Sequence, residues 1–237
     1  MSRVATLDAA ALIKLDAVDS TNREALRRIE AGARHGTVIQ AERQTEGRGR
    51  RGRSWVSPSG NLYATLIVRS GDGPPVGQLG FVAAIAAGDA LRPHADVRFK
   101  WPNDLMLDRR KLGGILIETV AGAAAVGIGI NVASAPDDTE TPATHLASCV
   151  TPEVLLDNIR ARFEVWHRRW LDDGFTPLRE EWLRHAIGLG ETIRARLARE
   201  TVDGVFAGLD ADGGLLLDCA DGRRRVIAAG DVFLGTT

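Results

Sequence analysis

The residues best suited to chemistry fall in five short stretches. The first is "GRGRRGRSW", Gly47 to Trp55, with four arginines and three glycines before a serine and a tryptophan. Neighbouring guanidinium groups repel one another unless an anion lies between them. Arginine also presents paired planar donors matched to phosphate and carboxylate oxygens. Glycines let the backbone wrap close to such a ligand and leave the empty loop loose. Trp55 adds a flat face on which a base can stack. Taken alone, the stretch fits a solvated basic loop or an RNA-binding segment equally well.

"KWPNDL" (Lys100 to Leu105) places Asn103 and Asp104 between two apolar strands, where unpaired polar groups are costly; a plain turn is the alternative. "RRKLGGILIE" (Arg109 to Glu118) brings Lys111 to a strand entrance stripped of side chains at Gly113 and Gly114. Paired glycines weaken a strand unless something approaches its backbone or a β-bulge is needed there. "GIGIN" (Gly127 to Asn131) repeats the small-residue theme and ends on an amide. "DSTN" (Asp19 to Asn22) can cap a helix and bind a small polar ligand with the same groups. "GRGRRG" matches a dinucleotide fingerprint by letters, but it runs into Trp55 and a Ser-Pro loop rather than a helix.

These stretches need elements to hold them. Asp19 to Arg28 reads as a helix, with Thr21 and Glu24 spaced as a capping box and Ala25, Leu26 and Ile29 on one side. Thr37 to Glu42 and Asn61 to Arg69 read as strands. Gly71 to Pro75 is a loop, and Val76 to Leu91 is a helix buried along one side. Val97 to Leu107 is a strand broken at Trp101-Pro102 and then resumed; Gly113 to Val120 and Ala124 to Val132 are paired strands. Two helices follow, each with threonine at the cap and proline at the first position. The first, from Pro152, buries Leu155, Ile159, Phe163, Trp166 and Trp170; the second, from Pro177, buries Leu178, Trp182 and Leu183. After Gly188, turn chemistries in "LDADGG" and "CADGRRR" separate short strands, so a boundary is set near Ile187 to Gly190.

The chain has 237 residues, a formal net charge of -1 and a globular composition, which argues against a dedicated nucleic-acid binder. Cys149 and Cys219 lack metal-ligand spacing and read as thiols of a reduced, cytoplasmic protein. No metal set emerges, and no apolar run reaches transmembrane length, so neither nucleic acid nor membrane is expected as a partner.

Taken in order, DSTN, GRGRRGRSW, KWPNDL, KLGGILIE and GIGIN closely resemble the biotin protein ligases. The resemblance covers roughly residues 12 to 187 and implies an α+β fold. That fold is a mixed β-sheet with flanking helices, of the kind shared by class II aminoacyl-tRNA synthetases and biotin ligases. Residues 1–187 would be the catalytic domain and 188–237 a small SH3-like β-barrel. The implied substrates are biotin and ATP with Mg2+, joined as biotinyl-5′-adenylate, and the implied partner is a biotin carboxyl carrier domain. Ser20, Thr21, Asn22 and Gln40 would contact the ureido ring. Arg48, Gly49, Arg50, Lys111, Gly113 and Gly114 would lie near the biotin carboxylate. Arg48, Arg50, Arg53, Trp55, Asn103, Lys111, Gly129 and Asn131 would face ATP. Lys111, Arg50 and Asp104 are the implied catalytic groups, with Asp104 as base or orienter of the acceptor amine. Few residues precede Asp19, so a ligase without repressor activity is expected, as a monomer or weak homodimer. Lipoate-protein ligases share the chemistry; the full arginine loop and KWPND favour biotin.

Overall fold

The computed structural model describes residues 11–69, 73–147 and 150–235. Cys149 and the first two residues of the Gly71 to Pro75 loop lie outside the described residues. Seven strands make one sheet in the order β1-β2-β3-β7-β6-β5-β4. These are β1 (Leu12–Val18), β2 (Val38–Gln44), β3 (Leu62–Arg69), β4 (Arg98–Lys100), β5 (Asp104–Leu107), β6 (Arg110–Val120) and β7 (Ala123–Ile130). Only β1 and β2 pair in parallel; the other neighbours are antiparallel. β1 is absent from the sequence reading. As an edge strand it is half exposed, and its apolar residues do not alternate cleanly.

Helix α1 (Thr21–Glu30) covers one face of the sheet, packing Ala25 and Ile29 against Ile39, Ile67 and Ala125. The capping box does not form. Ser20 is the N-cap residue, and Glu24 turns to Arg27 and Arg28. Gln44, a residue from β2, instead accepts the Thr21 N–H at 2.8 Å. On the other face lie α2 (Leu79–Leu91), α3 (Pro152–Asp173) and α4 (Thr176–Arg184). α2 follows a single 3-10 turn at Val76–Gln78 and is buried around nearly its whole circumference, not along one side. Its run of alanines lets the sheet, α3 and α4 close on it together. Thr151 caps α3 as expected, and its side chain accepts from the Val154 N–H. In α4, Phe175 occupies the N-cap position and Thr176 is already helical. Trp166 and Leu183 are only partly buried.

The tail forms a second, antiparallel five-stranded sheet in the order β11-β10-β9-β8-β12. Its strands are β8 (Thr192–Arg196), β9 (Thr201–Leu209), β10 (Leu215–Asp218), β11 (Arg224–Ile227) and β12 (Asp231–Leu234). The architecture is thus the anticipated mixed sheet with flanking helices plus a small β unit. The tail shares an apolar core with the rest: Ile193, Phe206 and Val232 belong to the same buried cluster as α2. At this seam the Trp101 indole N–H donates to the Gly213 carbonyl at 3.0 Å. A Cβ on Gly213 would lie 2.6 Å from the Phe81 ring, so the backbone can sit there only without a side chain.

Candidate active site

Strand register builds the floor of the site. Tyr63 of β3 pairs with Gly129, which pairs with Gly114, then Asp104, then Lys100, forming one row across five strands. The adjacent row on the same face runs Thr65, Gly127, Leu116. With glycine at both row centres, the floor has no side chains where it faces α1 and the arginine loop. A cavity of about 450 Å3 opens there.

At one end, the N-terminus of α1 supplies Ser20, Thr21 and Asn22, all buried. The Asn22 amide donates to the Leu116 carbonyl at 3.2 Å and to Glu118 at 3.0 Å, and its oxygen accepts from Thr65 at 2.7 Å. A Cβ on Gly127 would lie 2.2 Å from that oxygen, so glycine is what admits Asn22 to the floor. At the other end, Trp55 lies on Gly129, where a Cβ would stand 3.0 Å from the indole. Lys111 Nζ sits 5.4 Å from the centre of the Trp55 ring. Neither the Trp55 indole N–H nor the Asn131 side-chain oxygen has a hydrogen-bond partner, and both are buried at the cavity wall. An orphaned donor and an orphaned acceptor on one cavity wall are what a polar-edged ligand would satisfy.

Cations line the middle. Arg48, Arg50, Arg53 and Lys111 all reach the cavity. Arg50 is half-buried, whereas Arg48 and Arg53 are exposed. Burial draws its guanidinium below the usual value against the pull of Asp231, while Arg51 adds to the lowering. Its hydrogen bonds go to neutral oxygens, Asn103 Oδ1 and the Gly230 carbonyl, each at 3.3 Å. Among the described residues, no carboxylate lies within 4.0 Å of it. A half-buried cation left this way favours an incoming anion.

Three expected contacts are not on the cavity wall. Gln40 is buried, yet its strand neighbour Ala64 belongs to the α2 and α3 cluster. Alternation along β2 and β3 therefore turns Gln40 away from the α1 face, and Gln44 lines the cavity in its place. Gly113 also falls behind the floor: a Cβ there would meet the Gly129 carbonyl at 2.6 Å, so its role is close strand packing. Asp104 is buried just outside, its carboxylate 2.6 Å from Lys111 Nζ and 3.0 Å from Lys100 Nζ. Burial works to raise its pKa, but the two ammonium charges outweigh burial and hold it below the ordinary carboxylate value. A carboxylate engaged by two lysines is a poor proton acceptor, and the partners Asp104 holds in the structure are Lys111 and Lys100. The other expected residues, from Ser20 to Asn131, all line the cavity.

The sequence reading missed the lid formed by Pro136 to Ala143, which carries Asp138 and Glu140, and it missed Tyr63, Gln44 and Gly127 as wall residues. "GIGIN" had marked the Gly127 neighbourhood, and Ala135 to Pro142 reads from the sequence as a polar, proline-bounded loop with no site role. The reading also expected a loose arginine loop. Here the loop is closed by the tail: Arg51 and Arg53 pair with Asp231 at 3.2 and 2.8 Å, and Arg53 also reaches Glu140.

The model of the biotin/lipoate A/B protein ligase family matches residues 15–134, and that of the biotin protein ligase C-terminal domain matches residues 188–235. A biotin–[acetyl-CoA-carboxylase] ligase of Paracoccus denitrificans is 42% identical over 236 residues, covering 92% of this chain and 98% of its own. A bifunctional ligase/repressor of Bacillus subtilis is 34% identical, over 94% of this chain and 74% of its own. Among solved structures, the biotin protein ligase of Aquifex aeolicus in complex with biotin and ATP superposes with a TM-score of 0.85 at 28% identity. The match covers 94% of this chain and 99% of that one.

Proposed function

Because the chain belongs to the biotin/lipoate A/B protein ligase family and is a ligase of the biotin protein ligase kind, we propose a two-step activity. The cavity joins biotin to ATP and then transfers the biotinyl group to one lysine of a biotin carboxyl carrier domain. The observation that carries this reading is Arg50, half-buried with no carboxylate within 4.0 Å of it among the described residues, at a cavity that has an amide-rich end and an aromatic end. Biotin's ureido ring would occupy the end made by Ser20, Thr21, Asn22 and Gln44. Its carboxylate would then reach Arg48, Arg50, Lys111 and the Gly114 backbone. Adenine would lie against Trp55 and Asn131, beneath the lid.

In the first step, a biotin carboxylate oxygen attacks the α-phosphorus of ATP and pyrophosphate leaves. Both reactants are anionic, so holding them together is most of the work. Arg50, Arg53 and Lys111 offset that repulsion, and the Asp104 carboxylate keeps Lys111 aimed at the reacting oxygens. In the second step, a neutral acceptor amine attacks the acyl carbon, AMP departs and the amine proton passes to water. The closed arginine loop keeps water from the mixed anhydride meanwhile.

Among the described residues no three His, Cys, Asp or Glu side chains gather as a metal site. Asp138 and Glu140 are the carboxylates at the nucleotide end. Arg196 holds both Glu140 oxygens, at 2.7 and 3.0 Å, so Mg2+ would arrive on the phosphates, with Asp138 the carboxylate that could meet it, and would supply charge neutralisation there.

The test is incubation with ATP, Mg2+, labelled biotin and a carrier domain, with lipoate in a parallel arm. Labelled carrier is the expected result. Lipoate labelling without biotin labelling, or no adenylate with either, would overturn the reading.

A further inference from the structure

Glu118 does not line the cavity, yet it joins two parts that do. Its side chain, on β6, accepts from the Asn22 amide through Oε2 at 3.0 Å and pairs with Arg48 Nη1 through Oε1 at 3.0 Å. Asn22 belongs to the N-terminus of α1 and Arg48 to the arginine loop, which are separate segments of chain. Asn22 is itself fixed from the other side by Thr65, whose hydroxyl reaches Thr21 as well. Thr21 in turn is held by Gln44, which reaches Ser57 just beyond the loop. The polar end of the cavity is thus tied to the loop twice: at Ser57 through neutral hydrogen bonds, and at Arg48 through one charge.

We propose that Glu118 is a positioning residue that couples the polar, ureido-binding end to closure of the arginine loop. The role presupposes that biotinyl-adenylate forms in this cavity. One carboxylate does two jobs. By accepting from the Asn22 amide nitrogen, it fixes which way that amide faces, leaving the oxygen toward Thr65 and Gly127. By pairing with Arg48, it pins the beginning of the loop over the cavity, where both groups are shielded from full solvation. Occupancy that orders Asn22 also orders Glu118, and Glu118 holds Arg48. The loop then stays closed over a bound acyl-adenylate because the ureido end is filled.

The two jobs separate on substitution. Glu118→Gln keeps an oxygen that can accept from Asn22 but loses the charge that holds Arg48. Glu118→Ala loses both. The experiment first shows that wild type forms labelled biotinyl-adenylate; failure at that point counts against ligase activity itself, not against this coupling. Release of preformed adenylate is then timed by chasing with unlabelled biotin and ATP, alongside biotin KM, kcat and Tm. A partly exposed pair of this geometry is worth about 1 kcal/mol, so Glu118→Gln is expected to release adenylate about fivefold faster. Its biotin KM and Tm should stay near wild type. Glu118→Ala should release equally fast and raise biotin KM as well. If Glu118→Ala does not fold, the isosteric Glu118→Gln decides alone. Wild-type release from Glu118→Gln overturns the proposal. So does an equally large effect of Glu118→Gln in an Arg48→Ala background, because the coupling would then not run through Arg48.

Discussion

Replacing Asp104 by asparagine removes the one charge that lies between two lysines. The carboxylate is buried, with Lys100 at 3.0 Å and Lys111 at 2.6 Å, and Lys100 is itself only 7% exposed. Loss of one partner from a buried ion pair costs about 3–5 kcal/mol, because the surviving charge stays desolvated. Asparagine retains a hydrogen-bonding oxygen and Lys111 keeps some contact with water, which points to the low end, about 3 kcal/mol. For a chain of this size each kcal/mol moves Tm by roughly 2–4 °C, giving a drop of about 6–12 °C at pH 7. The pH dependence supplies a sharper signature. The folded Asp104 has a pKa below its unfolded value of about 3.9, so its contribution is full above that value and is lost as pH falls through the folded one. The stability gap between wild type and Asp104→Asn should therefore be constant from pH 7 to pH 5 and close on further acidification. Urea melts of both proteins at pH 7, 5 and 3.5 measure it. A Tm within 2 °C of wild type at pH 7, or a gap that narrows already between pH 7 and pH 5, would refute the reasoning.

Three further expectations concern separate parts of the molecule. Gly127→Ala would drive a methyl group into Asn22 Oδ1, which is buried and hydrogen-bonded and has little room to shift. Calorimetry should show biotin affinity lowered by about tenfold or more, a cost of at least 1.4 kcal/mol, and unchanged biotin binding would contradict the packing account. His167, stacked on Phe163 and tilted against Trp170, is pushed down to about 4 by burial, with His35 adding to the effect and Glu164 opposing it. Its folded pKa lies below its unfolded one, so stability should fall as pH drops from about 6.5 toward 4, by about 3 kcal/mol in all. His167→Phe should flatten that slope in denaturant melts. Asp231→Ala would free Arg51 and Arg53 from the tail, so trypsin should cut the arginine loop faster than in wild type, and an unchanged digestion rate would mean that other contacts hold it closed.

Residue chemistry picked out the stretches, and their order, through the family resemblance, joined them into one expected site. Four arginines among glycines, an amide–carboxylate pair between strands, and a lysine before two glycines are each costly in a plain fold, and each reached or bordered one cavity. The helices and most strands were legible for the same reason, since apolar spacing and proline or threonine punctuation act locally. Edge strand β1 and the all-round burial of α2 were not legible, because they depend on what covers each element. Register was beyond the sequence as well. Consecutive side chains of a strand point to opposite faces, so which of Gly113 and Gly114 meets the cavity follows only from the pairing of β6 with β7, while Gln44 reaches Thr21 from the last position of β2, beyond its pairing with β3. The tail's hold on the arginine loop joins Arg51 and Arg53 to Asp231, some 180 residues away. A charge pair at that separation leaves no local pattern. The sequence determined which stretches gather arginines, glycines and amides; tertiary packing decided which strand faces form the floor and which distant carboxylate pairs with the loop.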